Sequence, residues 1–365
     1  LVKPGSGPAR TRAAWRLTVI ALLVVPGVLL AADYPQVRQG ASLQFPRDQG
    51  SHPDFRNEWW YVTGWLKDDK GAEFGVQITF FRNRPGIAEE IASRFAPRQL
   101  LFAHAAVSDP AQGRLLHGQR AARAGFGLAQ CAEGRTDVAI DDWRLRQTES
   151  GYEAAVATGE FSYALRLRAR GVPLLQGDRG FSRKGPESKQ ASFYYSQPHL
   201  AVSGMLVIDG RRHEVSGEAW LDHEWSSEPL AAGAVGWDWV GVNLIDGGAL
   251  MAFRIRTKEG RTLWAGGAVR GADSRVRRLA PSEVRFSTLR RWRSPRTAVE
   301  YPVSVRLEAG SLNLELAPLM DDQEFDARAS TGTVYWEGAV RAMRGDSLAG
   351  RGYLELTGYG EPLRL

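Results

Sequence analysis

A single cysteine, Cys131, stands in 365 residues, so neither an internal disulfide nor a cysteine-rich metal site can hold this fold together. The six histidines are dispersed, and H-E-x-x-H is absent because His223-Glu224 is followed by Trp, Ser and Ser. There is no G-x-S-x-G, which removes the nucleophile elbow of an α/β-hydrolase. Phosphate-cradling loops and dinucleotide fingerprints are missing too. Helical spacing is scarce: only residues 86–95, through Ile87, Ile91 and Phe95, suggest a helix, which Pro97 would end. No apolar run reaches the roughly 20 residues of a membrane-spanning helix.

The longest apolar run, residues 17–30, contains Pro26 and Gly27. It follows the acid-free start carrying Lys3, Arg10, Arg12 and Arg16, and precedes the small Ala31 and Ala32. That order of basic start, apolar stretch and small residues is a secretory signal peptide over residues 1–32. The expectation is a periplasmic or secreted protein; a membrane anchor fits less well, and no cysteine marks a lipid attachment. Without those four basic residues the formal +6 falls to +2, so nucleic acid is not an expected partner. Arg275, Arg277, Arg278, Arg285, Arg290, Arg291, Arg293 and Arg296 crowd one segment. They read as a solvated face, or alternatively as a contact for anionic lipid headgroups or an acidic protein.

Forty glycines and eighteen prolines imply many turns. Between them, apolar residues alternate with a period of two: Phe74, Val76, Ile78 and Phe80 share a face, as do Tyr163, Leu165 and Leu167, and Met251, Phe253 and Ile255. The fold class is all-β and antiparallel. The chain also repeats itself. A Trp-rich block opens at Asn57 and another at Gly236, while VSGEAWLDH resembles LAGRGYLEL farther on. Two consecutive barrels or sandwiches, over residues 33–228 and 229–365, explain this. The first copy is longer, with much of the excess expected in the loop 171–190, a functional or mobile segment.

The polar and aromatic residues that could do chemistry form three blocks. They are Glu58-Trp59-Trp60-Tyr61, Tyr194-Tyr195, and a stretch holding Asp222, His223, Glu224, Trp225, Trp237, Asp238 and Trp239. On a strand, Asp222 and Glu224 project together, and His223 and Trp225 project to the other side. A buried imidazole or carboxylate there needs a partner or shifts its pKa. The plainer reading is an aromatic plug with satisfied polar groups. His52 and Asp54 could meet His223 as metal ligands, but turn capping is the simpler role, and no metal is expected.

The blocks FPRDQGSHPDFRNEWWYVTGWL, YYSQPHLAVSGMLVIDG, SGEAWLDHEWSS and GWDWVGVNL closely resemble the AttH-like, carotenoid 1,2-hydratase (hydroxyneurosporene synthase) family. The resemblance covers nearly all the chain after residue 32. It implies two tandem lipocalin-like β-barrels and cofactor-free addition of water to an acyclic carotenoid. It further implies catalysis by a histidine and tryptophan spaced as His223-x-Trp225, with an aspartate for which Asp238 is the candidate; Gly236 stands where the family pattern has a tyrosine. Asp222 is a second candidate acid. Protonating an isolated alkene needs a neutral carboxylic acid and π faces for the cation. Trp225, Trp237, Trp239, Trp59, Tyr61, Glu58 and Tyr195 are the candidate substrate-binding residues. Two alternatives stand beside this enzyme: a non-catalytic carrier of an apolar ligand, near a membrane surface or an envelope transporter, and an interaction module whose aromatics are core. The reading turns on whether His223 and Asp238 share a cavity.

Overall fold

The computed structural model describes residues 33–87 and 89–363; the leader expected over residues 1–32 lies outside them. Strands account for the regular structure, with single helical turns at Arg47–Gln49 and Pro281–Glu283. The first sheet begins with β1 (Asn57–Asp68), β2 (Glu73–Asn83), β3 (Leu100–Ser108) and β4 (Leu115–Arg123). Short strands follow: β5 (Ala129–Cys131), β6 (Asp137–Ile140), β7 (Trp143–Thr148), β8 (Gly151–Ala157) and β9 (Phe161–Arg168). The sheet is completed by β10 (Leu174–Leu175), β11 (Phe181–Arg183), β12 (Ala191–Ile208) and β13 (Arg211–Ser226). The second sheet holds β14 (Gly236–Leu244), β15 (Ala249–Arg256), β16 (Thr262–Arg270), β17 (Val276–Leu279) and β18 (Val284–Arg293). It continues through β19 (Glu300–Ala309), β20 (Leu312–Pro318), β21 (Glu324–Ala327), β22 (Thr333–Arg344) and β23 (Ser347–Leu356).

Both sheets are wound alike. The first runs β4-β3-β2-β1-β13-β12-β9-β8-β7-β6-β5 and the second β17-β16-β15-β14-β23-β22-β20-β19-β18, so in each the opening strand pairs with the closing one. All pairings are antiparallel. The first sheet curls until Gly125 bridges to Ala129, and Arg120 donates to the Ile140 carbonyl across the gap. In the second, Arg254 donates to the Phe286 carbonyl and draws β18 against β15. Each sheet wraps its own apolar core: Val62, Ile78, Phe80 and Leu221 in the first, and Val240, Leu250, Trp336 and Leu354 in the second. The period-two alternation explains this division, because every second side chain points inward.

The described residues of the segment, 86, 87 and 89–95, are not helical. Ile87, Ile91 and Phe95 are 53%, 52% and 67% exposed, so the spacing has no core face to serve, and Pro85 and Pro97 bracket the segment. The extra length of the first copy is spread more widely than the loop 171–190. The connections 84–99 and 124–142 correspond to 257–261 and 280–283 in the second copy, which are far shorter. The loop 169–190 is itself part of the sheet, through β10 and β11 on β12.

The outward faces of β1, β12 and β13 pack on those of β14, β15, β22 and β23. A third apolar cluster holds this seam, including Tyr61, Trp65, Tyr194, Trp220, Trp239 and Phe253. Strand β13 thus serves two cores at once, which is why every residue of Ala219–Ser226 is buried.

Candidate functional site

The inward face of β13 carries His223 and Trp225 to the open end of the first barrel, where Glu58 is the second residue of β1. Residues 45–56 cross this mouth and bring Asp48, Ser51 and His52 over it. Glu58 lies at the centre. Its Oε1 accepts from His223 Nε2 (2.9 Å) and His52 Nδ1 (2.8 Å), and its Oε2 from Arg82 Nε (2.7 Å) and Ser51 Oγ (3.1 Å). The His52 amide donates to both oxygens. Burial works against the charge of Glu58, yet the bonds from His223 and His52 and the charge of Arg82 hold its carboxyl well below the usual range. Burial in turn lowers His223, against the pull of Glu58, which favours the neutral imidazole; Nδ1 faces the Tyr195 hydroxyl at 3.2 Å. Trp60 stacks on His223 with ring centroids 4.7 Å apart, and His52 stacks on Trp225 at 3.7 Å. His52 alone of the three central groups reaches solvent, its side chain 17% exposed against 0% for Glu58 and His223. Beneath the cluster the barrel is filled, with a void of only about 10 Å³.

The duplication supplies an internal control. Glu58 lies across from Arg82 and Trp225, as Asp238 lies across from Arg254 and Leu356. Both copies therefore bury an acid against an arginine on the neighbouring strand. His223 lies between Trp60 and Tyr195, whereas its counterpart Leu354 lies between Val240 and Gly338. The second barrel folds without a histidine there, so the fold does not demand one. Asp238 belongs to this second frame: its oxygens accept from Arg254 Nε (2.7 Å), Arg256 Nε (2.7 Å) and the Tyr359 hydroxyl (3.0 Å). It shares no partner with His223, and the structure does not bring the two together.

Asp222 points the other way, into the seam. It accepts from Ser196 (2.5 Å), Tyr194 (2.6 Å) and Trp220 Nε1 (2.7 Å), and Trp239 Nε1 donates to the Tyr194 hydroxyl. Burial nevertheless pushes its carboxyl up to about 7. Across the seam Glu337 and Glu355 are directly opposed on β22 and β23. Burial raises both, Glu355 to about 7, although Trp237 Nε1 donates to it. Lys184 pairs with Glu224 and lies over the rings of Tyr194 and Phe253. Tyr61 meets Trp239 edge to face, and Trp59 is half-buried at the same seam. Farther along, a groove of about 190 Å³ opens between the barrels, walled by Trp65, Trp220, Leu244 and Tyr353.

The ten candidates thus separate. Glu58, Tyr195, His223 and Trp225 join at the mouth; Trp59, Tyr61, Asp222, Trp237 and Trp239 line the seam; Asp238 lies in the second barrel. Sequence reasoning missed Arg82 and Asp48, and set His52 aside; Asp54, its imagined partner, is exposed and Glu58 takes that place. The repeat could have signalled Arg82, because it aligns with Arg254. Seven of the eight clustered arginines meet a carboxylate at the surface and Arg293 caps the Ala298 carbonyl, so their charge is largely spent locally. Among the described residues, His52, Glu58 and His223 are the group able to converge on a metal ion, with donor atoms all within 4.8 Å of one another.

Two duplicated lipocalin-like barrels, one of them carrying a buried histidine–carboxylate–arginine network, define the class of protein. Residues 36–359 match the family model described as AttH-like, and the chain belongs to that family. It is similar to a candidate AttH of Nitrosomonas europaea, with 50% identity over 89% of this chain and 99% of that one, and a TM-score of 0.83. Kievitone hydratase from Nectria haematococca shares the fold at 12% identity, covering 91% of this chain and 97% of that one, with a TM-score of 0.68. CghA does so at 15% identity, 92% and 98% coverage, and a TM-score of 0.51. No curated protein matches the chain.

Proposed function

We propose that this chain is an exported hydro-lyase that adds water to a carbon–carbon double bond of an apolar, isoprenoid-type molecule at the mouth of the first barrel. The observation that carries the reading is the difference between the two copies. Both keep the buried acid–arginine pair, and only the first adds His223, Trp60 and Tyr195 around it and lays His52 above. In hydration one alkene carbon gains a proton and the other bonds the water oxygen, whose surplus proton leaves to a base, for a net gain of one water. His52, the imidazole that reaches solvent, would relay the proton that the carbon gains, while the Glu58–His223 pair would orient the water and take its surplus proton. Trp60 and Trp225 are buried with His223 and His52 stacked on them, so an apolar chain would meet a π face able to steady positive charge on carbon only by displacing His52, the partly exposed ring. That the fold is shared with a protein named as a hydratase agrees with this.

Apolar substrate would arrive from a lipid phase, and the rim of the mouth suits that. The connection 84–99 exposes Ile87, Ile91 and Phe95; Phe126 stacks on Phe95 at 4.9 Å, and Arg94 and Arg123 lie over their rings. Apolar tips among arginines are the composition of a membrane-surface contact. The seam groove favours a second reading, in which the protein carries an apolar ligand between its barrels, beside an envelope transporter, without reacting it.

The two separate in one experiment. Tag-free protein is incubated with an acyclic carotenoid in detergent, and products are read by mass. The enzyme reading expects a product heavier by one water, absent with His223→Leu. Carotenoid bound and recovered unchanged refutes it and supports the carrier.

A further inference from the structure

We infer that His52, Glu58 and His223 form a site for a divalent transition-metal ion. The inference rests on the mouth being the working centre only for what the ion would do there.

Glu58 is surrounded by more donors than it can serve. A carboxylate offers about four lone-pair sites. Five donor groups point at Glu58: Ser51 Oγ, the His52 amide, His52 Nδ1, Arg82 Nε and His223 Nε2. Oε1 alone faces two imidazole nitrogens and the amide, at 2.8, 2.9 and 3.1 Å. The corresponding Asp238 meets only three donor groups. With a cation among them, both imidazoles present lone pairs instead of N–H groups, and the crowding at Oε1 becomes coordination. Bonds of ~2.1 Å place ligand atoms roughly 3.0–3.4 Å apart; the two Glu58–imidazole pairs, at 2.8 and 2.9 Å, would open by a few tenths of an ångström, and the two imidazole nitrogens, within 4.8 Å of each other, would draw together.

The three side chains are also held from behind. Ligating histidines usually give their other nitrogen to a carboxylate or similar acceptor, and ligating carboxylates are themselves hydrogen-bonded. His52 Nε2 faces Asp48 Oδ1 at 3.5 Å, His223 Nδ1 faces the Tyr195 hydroxyl, and Glu58 Oε2 takes Arg82 and Ser51. All three ligands are thus backed from behind. The N₂O donor set, without sulfur, suits Zn²⁺ or Fe²⁺. A bound ion would hold and orient the water that captures the cation once the alkene is protonated.

The test uses the full chain purified without a histidine tag. Apoprotein is titrated with Zn²⁺ against a competing chelator, and with Co²⁺ while its visible absorption is followed. The inference expects one ion per chain and cobalt bands of a site with imidazole ligands. It expects about 100-fold or greater weakening by His52→Ala, a partly exposed position whose loss spares the barrel core. Asp48→Asn should weaken binding about 10- to 100-fold. Absence of one-to-one binding, or binding indifferent to His52→Ala, overturns the site. A chelated protein that still hydrates the carotenoid overturns the ion's part in the chemistry. A loaded protein that hydrates nothing overturns the proposed activity and leaves the site standing.

Discussion

Replacing His223 by leucine copies into the first barrel what the second barrel already has at Leu354, and the cost can be worked out. The substitution removes a hydrogen bond to the buried Glu58 carboxylate, worth about 1.5–3 kcal/mol, and frees the Tyr195 hydroxyl of one partner. Against that, a leucine of similar volume enters a position flanked by Trp60 and Trp225, where burying it contributes about 1.5–3 kcal/mol. The net destabilisation should be about 0–2 kcal/mol. Arg82→Leu is different, because it leaves Glu58 charged, buried and without its cation, at a cost of about 3–5 kcal/mol. Urea unfolding in the presence of a chelator, compared by midpoint at equal slope, measures both. If His223→Leu costs as much as Arg82→Leu, the histidine belongs to the frame of the barrel and the inference from the duplicated copies fails.

Other outcomes follow from the seam and the rim. The opposed Glu337 and Glu355 keep protons in the folded chain that the unfolded chain releases, so their stability is complete below the ordinary carboxyl range and lost as pH rises through about 7. Glu355→Gln should therefore leave stability near pH 4 unchanged and raise it near pH 8 by on the order of 2–3 kcal/mol, read by denaturant melts; an equal effect at both pH values contradicts the pairing. At Gly75 a Cβ would meet Ala339 Cβ at 2.8 Å and the Tyr353 hydroxyl at 2.5 Å, so Gly75→Val should cost about 1–3 kcal/mol through the barrel–barrel contact, and a neutral result would mean the barrels are not packed this way. The double variant Ile91→Ser, Phe95→Ser should weaken sedimentation with anionic vesicles several-fold without moving the melting temperature, whereas unchanged binding removes the rim as the membrane contact.

Much of this was legible in the sequence, because period-two alternation and an internal repeat both act locally. The strands around Phe74–Phe80 and Met251–Ile255 and the division into two similar antiparallel copies follow from those patterns. The alternation on β13 also placed His223 and Trp225 opposite to Asp222 and Glu224. What alternation cannot tell is which core each face enters. Asp238 is near His223 in the chain, but the strand changes barrels between Ser226 and Gly236, so the two aspartate candidates and the histidine part company. Glu58 and His52 join His223 only through barrel closure. The helix expected at residues 86–95 failed for the converse reason: apolar spacing indicates a helix only where a core is available to receive it.

The central claim is that the mouth of the first barrel, and not the seam, is where water is added. It is tested most directly by incubating the protein with an acyclic carotenoid in ¹⁸O-labelled water and comparing wild type, His223→Leu and Asp222→Asn for label in the product. The account predicts labelled product from wild type and Asp222→Asn and none from a folded His223→Leu. Label retained by His223→Leu and lost from Asp222→Asn would contradict it and move the chemistry to the seam.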